Sequence, residues 1–486
     1  MKRILVTLLF ISALLAPLGT QPHPATAQAQ TKRPAASPRA PATATAAAPA
    51  LARLPEAEIT DRALANGLEI IILQDHSVPL VTIELAVKNG SYTEPPELNG
   101  LSHLYEHMFF KANRAIANQE DYVKTIGQLG ITYNGSTSEE VVNYYFTTTS
   151  PNLRTAMQFM KDATRYPLFD EREFEREREV VIGEIDRNES SPYYYLNREM
   201  MDRLFYKYPS RKAPLGNRQT VSTATTTMMR LIQSRYYVPN NSTLVVTGDV
   251  NPQAIFQMAQ ELFGDWTRRE KDPFVEFPLV EHPPLPKSEG VIIKQPVQNV
   301  ILEIGWHGPS IGKDNAATYA ADVFSFILRQ PNSHFQRALV DSGLVTAVDL
   351  TYLTQRNVGP IRLIAQTTPE KARAALLAIY NELAHFNDKD YFTDEQLESG
   401  KALLEAEDLY SREKPSDYAH TLSFWWASTG IDYYRGYLPT LRHTSRADIN
   451  RYVTTYIKGK PHIGLVLMSD EAQQQAQLKP EELIGQ

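Results

Sequence analysis

The sequence lacks cysteine entirely, in a chain of 486 residues. That absence excludes disulfide bonds and a lipid-modified N-terminal cysteine. The chain therefore has no disulfide that could be lost or wrongly paired in an oxidising compartment. An excess of positive charge is also missing: 49 Lys and Arg stand against 56 Asp and Glu, a formal net charge of −7. With no basic cluster to offset this balance, the composition argues against a nucleic-acid or membrane-surface function.

Long apolar runs are rare, and the clearest one, Ile4–Leu18, stands at the N-terminus behind Lys2 and Arg3. The run is short for a membrane span and is interrupted by Pro17. Small residues that suit a cleavage site follow it. The pattern predicts a cleaved secretory signal peptide over residues 1–27 and a periplasmic protein with no integral membrane span in the mature chain. An uncleaved N-terminal anchor is the alternative interpretation.

The richest local pattern in the chain is the helical segment around His103, Glu106 and His107. Residues four apart share a helix face, so the two imidazoles can converge on one metal ion while Glu106 reaches the same space. Zinc binds neutral imidazoles and, in catalytic sites, keeps one position open for water. The order His-x-x-Glu-His is the inverzincin pattern. The alternative is a helix whose two histidines have only structural roles.

A third ligand is available in the strongly helical segment from Glu171 to Ile185. Glu177 and Glu184 share a helical stripe with two apolar residues, Phe174 and Val181. A carboxylate on such a face is costly unless it is paired or coordinates something. The remaining acids of the segment alternate with arginines, which is typical of a solvated, salt-bridged face.

These linked motifs resemble the pitrilysin family of zinc peptidases, which includes the insulin-degrading enzymes and the mitochondrial processing peptidases. Glu184 stands 77 positions after His107, a separation similar to that of the family's third ligand. The segment Tyr133–Ser138 resembles the family's edge strand, although Gly135 stands where alanine is commoner and adds flexibility. Gly248-Asp249 matches the pair that usually closes a strand of the first domain. The resemblance covers roughly residues 57 to 480.

The resemblance implies a role for each site residue. His103, His107 and Glu184 hold one zinc ion per chain, and Glu106 is the general base that takes a proton from the attacking water. Glu177 supports the site without being a main ligand, and is our candidate for holding one imidazole. An extended peptide substrate adds to the edge strand at four residues, namely Asn134, Gly135, Ser136 and Thr137.

The order of predicted elements indicates two domains. An Ala- and Pro-rich flexible linker over residues 28–56 precedes a zinc-bearing domain at 57–266, and a Pro-containing linker at 267–287 leads to a second domain at 288–486. The same order of strands and helices recurs in the second domain, where no His-x-x-Glu-His is present. The resemblance implies an α+β fold of two homologous domains, each a mostly antiparallel sheet packed with helices, with the second domain inactive.

Longer family members use an Arg and a Tyr of the inactive half to grip the substrate carbonyl, and that pair is not evident here. Tyr352 and Arg356 are the nearest candidates, but equally suit ordinary strand and turn positions, and His307 and His334 are isolated. We therefore expect a homodimer, or a heterodimer with a zinc-free homologue, acting on peptides or unfolded polypeptide. The alternatives are a non-catalytic, zinc-retaining binding or assembly subunit and a maturation factor for one dedicated peptide.

Overall fold

A computed structural model describes residues 58–485, and two β-sheets organise this part of the chain. The strands of the first sheet are β1 (Ile59–Ala63), β2 (Glu69–Gln74), β3 (Leu80–Val87), β4 (Thr132–Thr137), β5 (Val142–Thr149) and β6 (Ser242–Gly248). Their order across the sheet is β1-β2-β6-β3-β5-β4. All neighbouring strands are antiparallel except β2 and β6, which are parallel. Strand β4 therefore lies at a sheet edge, with one side free of strand partners among the described residues.

The second sheet repeats this arrangement. Its strands are β7 (Glu289–Lys294), β8 (Val300–His307), β9 (Ala347–Tyr352), β10 (Pro360–Thr367) and β11 (Ile463–Met468). Their order is β7-β11-β8-β10-β9, with β7 and β11 parallel and the other pairs antiparallel. This is the order β2-β6-β3-β5-β4 of the first sheet, strand for strand. The expected fold class, two mostly antiparallel α+β units of one design, is confirmed.

Helices fill both halves. Those between β3 and β7 are α1 (Leu101–Phe109), α2 (Gln119–Gln128), α3 (Leu153–Arg165), α4 (Glu171–Glu189), α5 (Pro192–Leu204), α6 (Arg218–Ser222), α7 (Thr226–Tyr236), α8 (Pro252–Phe263) and α9 (Pro273–Glu276). Those after β8 are α10 (Asn315–Leu328), α11 (His334–Gln336), α12 (Ala372–His385), α13 (Asp394–Ser411), α14 (Pro415–Ser428), α15 (Ile431–Arg435), α16 (Tyr437–Leu441), α17 (Arg446–Tyr456) and α18 (Asp470–Ala476). A π-helical turn, Arg337–Asp341, follows α11.

Local sequence explains why the two helices that carry the candidate ligands begin where they do. The Asp170 side chain accepts hydrogen bonds from the first backbone amides of α4, a strong N-cap. Helix α1 instead begins after Gly100, whose φ of 89° favours glycine. The buried Glu94 carboxylate accepts hydrogen bonds from the backbone amides of Gly100 and Ser102. A residue that precedes the helix in the sequence thus satisfies amides at its N-terminus.

Each half covers one face of the other half's sheet with a helix. Helix α5 of the first half buries Leu196, Met200 and Leu204 in one cluster with strand residues of the second sheet. Helix α14 of the second half lies on the first sheet, where the Ser423 hydroxyl donates to the buried Glu84 of β3. The Thr247 hydroxyl of β6 donates to the Pro415 carbonyl, 2.7 Å away. The hydrophobic burial of the two halves is therefore shared.

Several details differ from the sequence-based expectations. The edge strands β1 and β7 were not predicted, because short strands at a sheet margin show weak alternation. The predicted linker at 267–287 contains the one-turn helix α9. Among residues 58–485 no helix combines the length and apolar character needed to cross a bilayer. The predicted signal peptide and the Ala/Pro-rich linker lie outside the described residues, and the domain limits remain predictions.

Candidate metal centre

Helix α1 presents two imidazoles on one face, as the four-residue spacing predicts. The rings of His103 and His107 stand edge to face with centroids 4.9 Å apart. The opposite face of the helix is anchored in the first-half core by Leu101, Leu104 and Met108, all nearly or fully buried. This burial orients both histidines toward α4.

Glu184 of α4 completes the cluster. Its Oε2 atom lies 3.6 Å from His103 Nε2 and 3.7 Å from His107 Nε2. Candidate donor atoms of the three residues all fall within 4.8 Å of one another. Distances of this size are long for hydrogen bonds, whereas tetrahedral ligands about 2.1 Å from a zinc ion stand about 3.4 Å apart. The donor set, two imidazoles and one carboxylate, is one that zinc accepts, so these residues fit the ion.

The electrostatics of the two histidines differ. Burial, with a smaller effect from His107, lowers the pKa of His103 to about 3, so this imidazole is neutral and able to act as a ligand. Burial also acts to lower the pKa of His107. The neighbouring carboxylates, above all the hydrogen-bonded Glu177, outweigh that effect and raise it.

Glu177 lies where it can fix His107. Its Oε2 atom is 3.2 Å from His107 Nδ1, and its Oε1 atom is 2.6 Å from the Lys111 ammonium. Burial by itself would raise the pKa of Glu177, but the hydrogen bonds from His107 and Lys111 hold it below the ordinary value. An Nδ1–H bond to this carboxylate leaves Nε2 of His107 free to face Glu184.

Glu106 sits beside the cluster and is held by the edge strand. The Thr137 hydroxyl donates to Glu106 Oε2 at 2.6 Å. Burial raises the pKa of Glu106, although the Thr137 hydrogen bond opposes that shift. A Cβ atom built on Gly135 would lie 3.0 Å from both Cγ and Oε1 of Glu106. Gly135 thus permits a close approach of strand and carboxylate, a different role from the flexibility expected of it.

The four residues predicted to bind substrate occupy β4 with alternating orientation. Gly135 and Thr137 lie on the face toward Glu106, whereas the Ser136 hydroxyl donates to Asn143 on the neighbouring strand. Asn134 is exposed. The role of these residues in substrate binding remains a prediction.

The candidate carbonyl grip of the second half has other partners. The Tyr352 hydroxyl donates to the Pro309 carbonyl at 2.9 Å. Arg356 is exposed, and its backbone amide donates to Glu140 of the first half. His307 lies 2.7 Å from the Leu204 carbonyl, and His334 pairs with the buried Glu382. Within residues 58–485, His103, His107 and Glu184 form the one group of three or more acidic or histidine residues that could hold a metal.

Two functional contacts were missed by sequence reasoning. Lys111, four residues past His107, pairs with Glu177. Thr137 contacts Glu106 through its side chain, not only through its backbone. The first could have been suspected from spacing, because positions four apart face the same way near a helix end. The second depends on how closely β4 approaches α1, which no local pattern reports.

Comparison with known proteins defines the family to which this protein belongs. Residues 69–217 match the family model described as insulinase, peptidase family M16, and residues 224–404 match the model described as the peptidase M16 inactive domain. Together these segments cover most of the chain. The protein therefore belongs to peptidase family M16, in agreement with the resemblance found in its motifs.

Individual relatives are zinc proteases by name. An uncharacterized zinc protease of Bacillus subtilis, YmxG, is 25% identical over 351 residues, which cover 72% of this chain and 83% of that protein. The zinc protease PqqE of Helicobacter pylori is 24% identical over 404 residues, covering 81% and 89%.

Solved structures share the fold. A protease from Helicobacter pylori superposes with a TM-score of 0.76 at 22% identity, over 85% of this chain and 100% of that one. The periplasmic protease PqqL from Escherichia coli gives a TM-score of 0.70 at 16% identity, over 89% of this chain and 50% of that one.

Proposed function

We propose that this chain is a zinc-dependent endopeptidase that hydrolyses peptides or unfolded protein segments. The observation that carries the proposal is the convergence of His103, His107 and Glu184, with all candidate donor atoms within 4.8 Å, beside the carboxylate of Glu106. A purely structural zinc site has no use for a base at that place. The relatives named zinc proteases support the same conclusion.

Zinc, when bound, supplies Lewis-acid polarisation of a carbonyl and acidification of a water molecule. The protein supplies the remaining steps. Glu106 accepts the proton of the attacking water and passes it to the leaving amine, a role suited to a carboxylate whose pKa is raised by burial. Thr137 fixes the orientation of this carboxylate, because its hydroxyl donates to one of the two oxygens.

Substrate recognition in this proposal uses the open edge of β4. A peptide in extended conformation adds a strand there through main-chain hydrogen bonds, which gives affinity with little demand on sequence. Its backbone then passes Gly135, whose lack of a side chain keeps the strand close to Glu106. Unfolded or short peptides are the substrates that can reach such an edge.

The second half supports a role for a partner chain. A developing oxyanion needs a donor opposite the metal, and the hydroxyl of Tyr352 is already donated to Pro309. We infer that a second chain, another copy or a zinc-free homologue, completes the catalytic site. The N-terminal residue pattern supports a periplasmic location, and a periplasmic protease is among the proteins of similar fold.

Replacing the base tests this function directly. We expect Glu106→Gln to retain zinc and fold but to lower hydrolysis of a quenched fluorescent peptide by at least about a hundredfold. Glu179→Gln, an exposed position of α4, is the control and should leave turnover unchanged. Unchanged turnover in Glu106→Gln would remove Glu106 from the mechanism, and activity that survives complete zinc removal would refute the proposed function.

A further inference from the structure

Lys111 connects the two helices that carry the candidate zinc ligands. It lies just past the end of α1, and its ammonium is 2.6 Å from Oε1 of Glu177 on α4. Both side chains are largely shielded from solvent, with 19% and 12% of their surface exposed. Among residues 58–485, Glu177 is the only carboxylate within ion-pair distance of Lys111. The pair is therefore a specific, partly buried ion pair between the two segments and not a surface contact of two mobile side chains.

The two oxygens of Glu177 have separate partners. Oε1 faces Lys111, and Oε2 faces Nδ1 of His107 at 3.2 Å. A carboxylate held at one oxygen by an ammonium cannot rotate freely, so the other oxygen stays in place to accept the Nδ1–H bond. That bond determines which tautomer His107 adopts and directs its Nε2 atom toward Glu184. Lys111 thus acts on His107 through Glu177.

Positioning and charge predict opposite effects of Lys111 on metal binding. By charge alone, an ammonium near a dication weakens binding, so its removal would strengthen zinc binding. By positioning, its removal frees Glu177 and loosens His107, which weakens zinc binding. Outer partners of metal ligands typically contribute a factor of 10–100 in affinity. The sign of the effect therefore distinguishes the two roles.

We propose that Lys111 is a positioning residue that strengthens zinc binding by holding Glu177 against His107, an inference that rests on the proposed zinc function. The ion pair also joins the end of α1 to α4, so the same contact helps to hold His107 near Glu184. Loss of the ammonium relaxes both constraints at once.

Zinc affinity measures this role without any assay of activity. Zinc would be titrated in competition with a chromophoric chelator against the wild-type protein, Lys111→Met and Lys111→Arg. We expect Lys111→Met to bind zinc on the order of tenfold more weakly. Lys111→Arg should recover part of the loss, because a guanidinium also donates to a carboxylate. Zinc binding in Lys111→Met that equals or exceeds the wild-type affinity would overturn the proposal.

A matched control exists in the same half. Lys161 of α3 pairs with Asp162 at 3.4 Å, and the exposed fractions of the two side chains, 19% and 12%, equal those of the Lys111 pair. Lys161→Met removes the same charge away from the site and should leave zinc affinity unchanged. Circular dichroism of each zinc-free variant checks folding, and Lys111→Gln replaces the methionine variant if that one does not fold.

Two further readouts separate positioning from general destabilisation. The visible spectrum of the cobalt-substituted protein should change in Lys111→Met and not in Lys161→Met, because it reports ligand geometry. In a Glu177→Gln background, Lys111→Met should cause little additional loss of zinc affinity, since its action passes through that carboxylate. Additive losses would contradict the proposed route.

Failure of this inference is distinguishable from failure of the proposed function. A wild-type protein that binds zinc but cleaves no peptide would refute the peptidase function and leave the role of Lys111 intact. An active wild type whose zinc affinity is unaffected by Lys111→Met would refute only the role of Lys111. A wild type with no zinc affinity would refute both.

Discussion

At the scale of single residues, the candidate metal ligands and the proposed general base have different contacts. His103, His107 and Glu184 bring their donor atoms together, while Glu106 turns toward Thr137 of the edge strand. Glu177 lies outside the cluster of donor atoms and contacts His107. Each carboxylate therefore has a different set of partners. We expect each replacement to cause a different defect in zinc binding or in turnover.

Replacement of Glu184 should remove the metal. We expect Glu184→Gln to carry little zinc after dialysis, because two imidazoles without the carboxylate leave the site short of a ligand and of negative charge. Glu177→Gln should retain zinc with affinity reduced about 10- to 100-fold. Elemental analysis of the purified variants measures both, with the exposed Glu175→Gln as a control. Full zinc occupancy in Glu184→Gln would show that the third ligand is a different residue.

At the scale of secondary-structure elements, strand β4 has two roles at once. Its outer edge has no strand partner among residues 58–485, and on its face toward α1 Gly135 and Thr137 lie against Glu106. Any displacement of β4 therefore moves the proposed base relative to the metal ligands. In the proposed function, substrate addition and the position of Glu106 are therefore coupled through one short strand.

Removal of the Thr137 hydroxyl should affect turnover more than binding. Hydrogen bonds to a charged group contribute about 1.5–3 kcal/mol, so Thr137→Val is expected to lower kcat roughly tenfold or more. KM and zinc content should stay near wild type, since the backbone edge and the ligands are intact. Thr137→Ser retains the donor and should recover most of the rate. Steady-state kinetics would contradict this role if Thr137→Val changed KM alone, and Thr132→Val serves as the control on the same strand.

At the scale of the whole molecule, the two halves share buried surface. Helices α5 and α14 each cover the other half's sheet, and the segment that joins the halves is packed against both. His282 of this segment is 8% exposed and neither ring nitrogen has a hydrogen-bond partner among the described residues. A buried neutral imidazole without a hydrogen-bond partner resists protonation in the folded state. We therefore expect the packing of this connecting segment to be sensitive to acid.

The stability of the fold should therefore fall as the pH drops below about 6.5. Burial and nearby Lys212 lower the pKa of His282 to about 3, and burial lowers that of His307 to about 4. Between these values and the ordinary 6.5, the unfolded chain binds more protons than the native chain. Each group then contributes a loss of up to about 1.4 kcal/mol per pH unit.

Urea unfolding of the zinc-free protein at pH 7.5 and pH 5.5 measures this dependence. His282→Phe should reduce it, because phenylalanine suits the aromatic surroundings of Tyr92 and Phe205 and takes up no proton. The exposed His443→Gln should leave the dependence as in wild type. An identical pH dependence in wild type and His282→Phe would show that this histidine does not sense acid.

Catalysis by the isolated chain should be weak. The hydroxyl of Tyr352 donates to the Pro309 carbonyl, and in the proposed function a partner chain supplies the donor for the oxyanion. We expect peptidase activity to rise when a zinc-free homologue is added, with light scattering reporting a complex of matching mass. Full activity of a monomer with no further gain would refute the partner requirement and return attention to Arg356, whereas full activity of a homodimer would identify a second copy as the partner.

The sequence by itself determined whatever depends on local spacing. The four-residue interval of His103 and His107, the bounds of α3 and most of the repeated order of strands and helices along the chain follow from local residue patterns. The family followed as well, because its motifs are short and linked. These features need no knowledge of how distant segments pack.

The tertiary structure decided every contact between elements distant in the chain. Glu184 meets the two imidazoles only because α1 and α4 pack together, and Thr137 meets Glu106 only because β4 approaches α1 across Gly135. The ion pair of Lys111 and the exchange of helices α5 and α14 are of the same kind. Such contacts depend on burying apolar faces against each other, a global balance that local residue patterns do not encode.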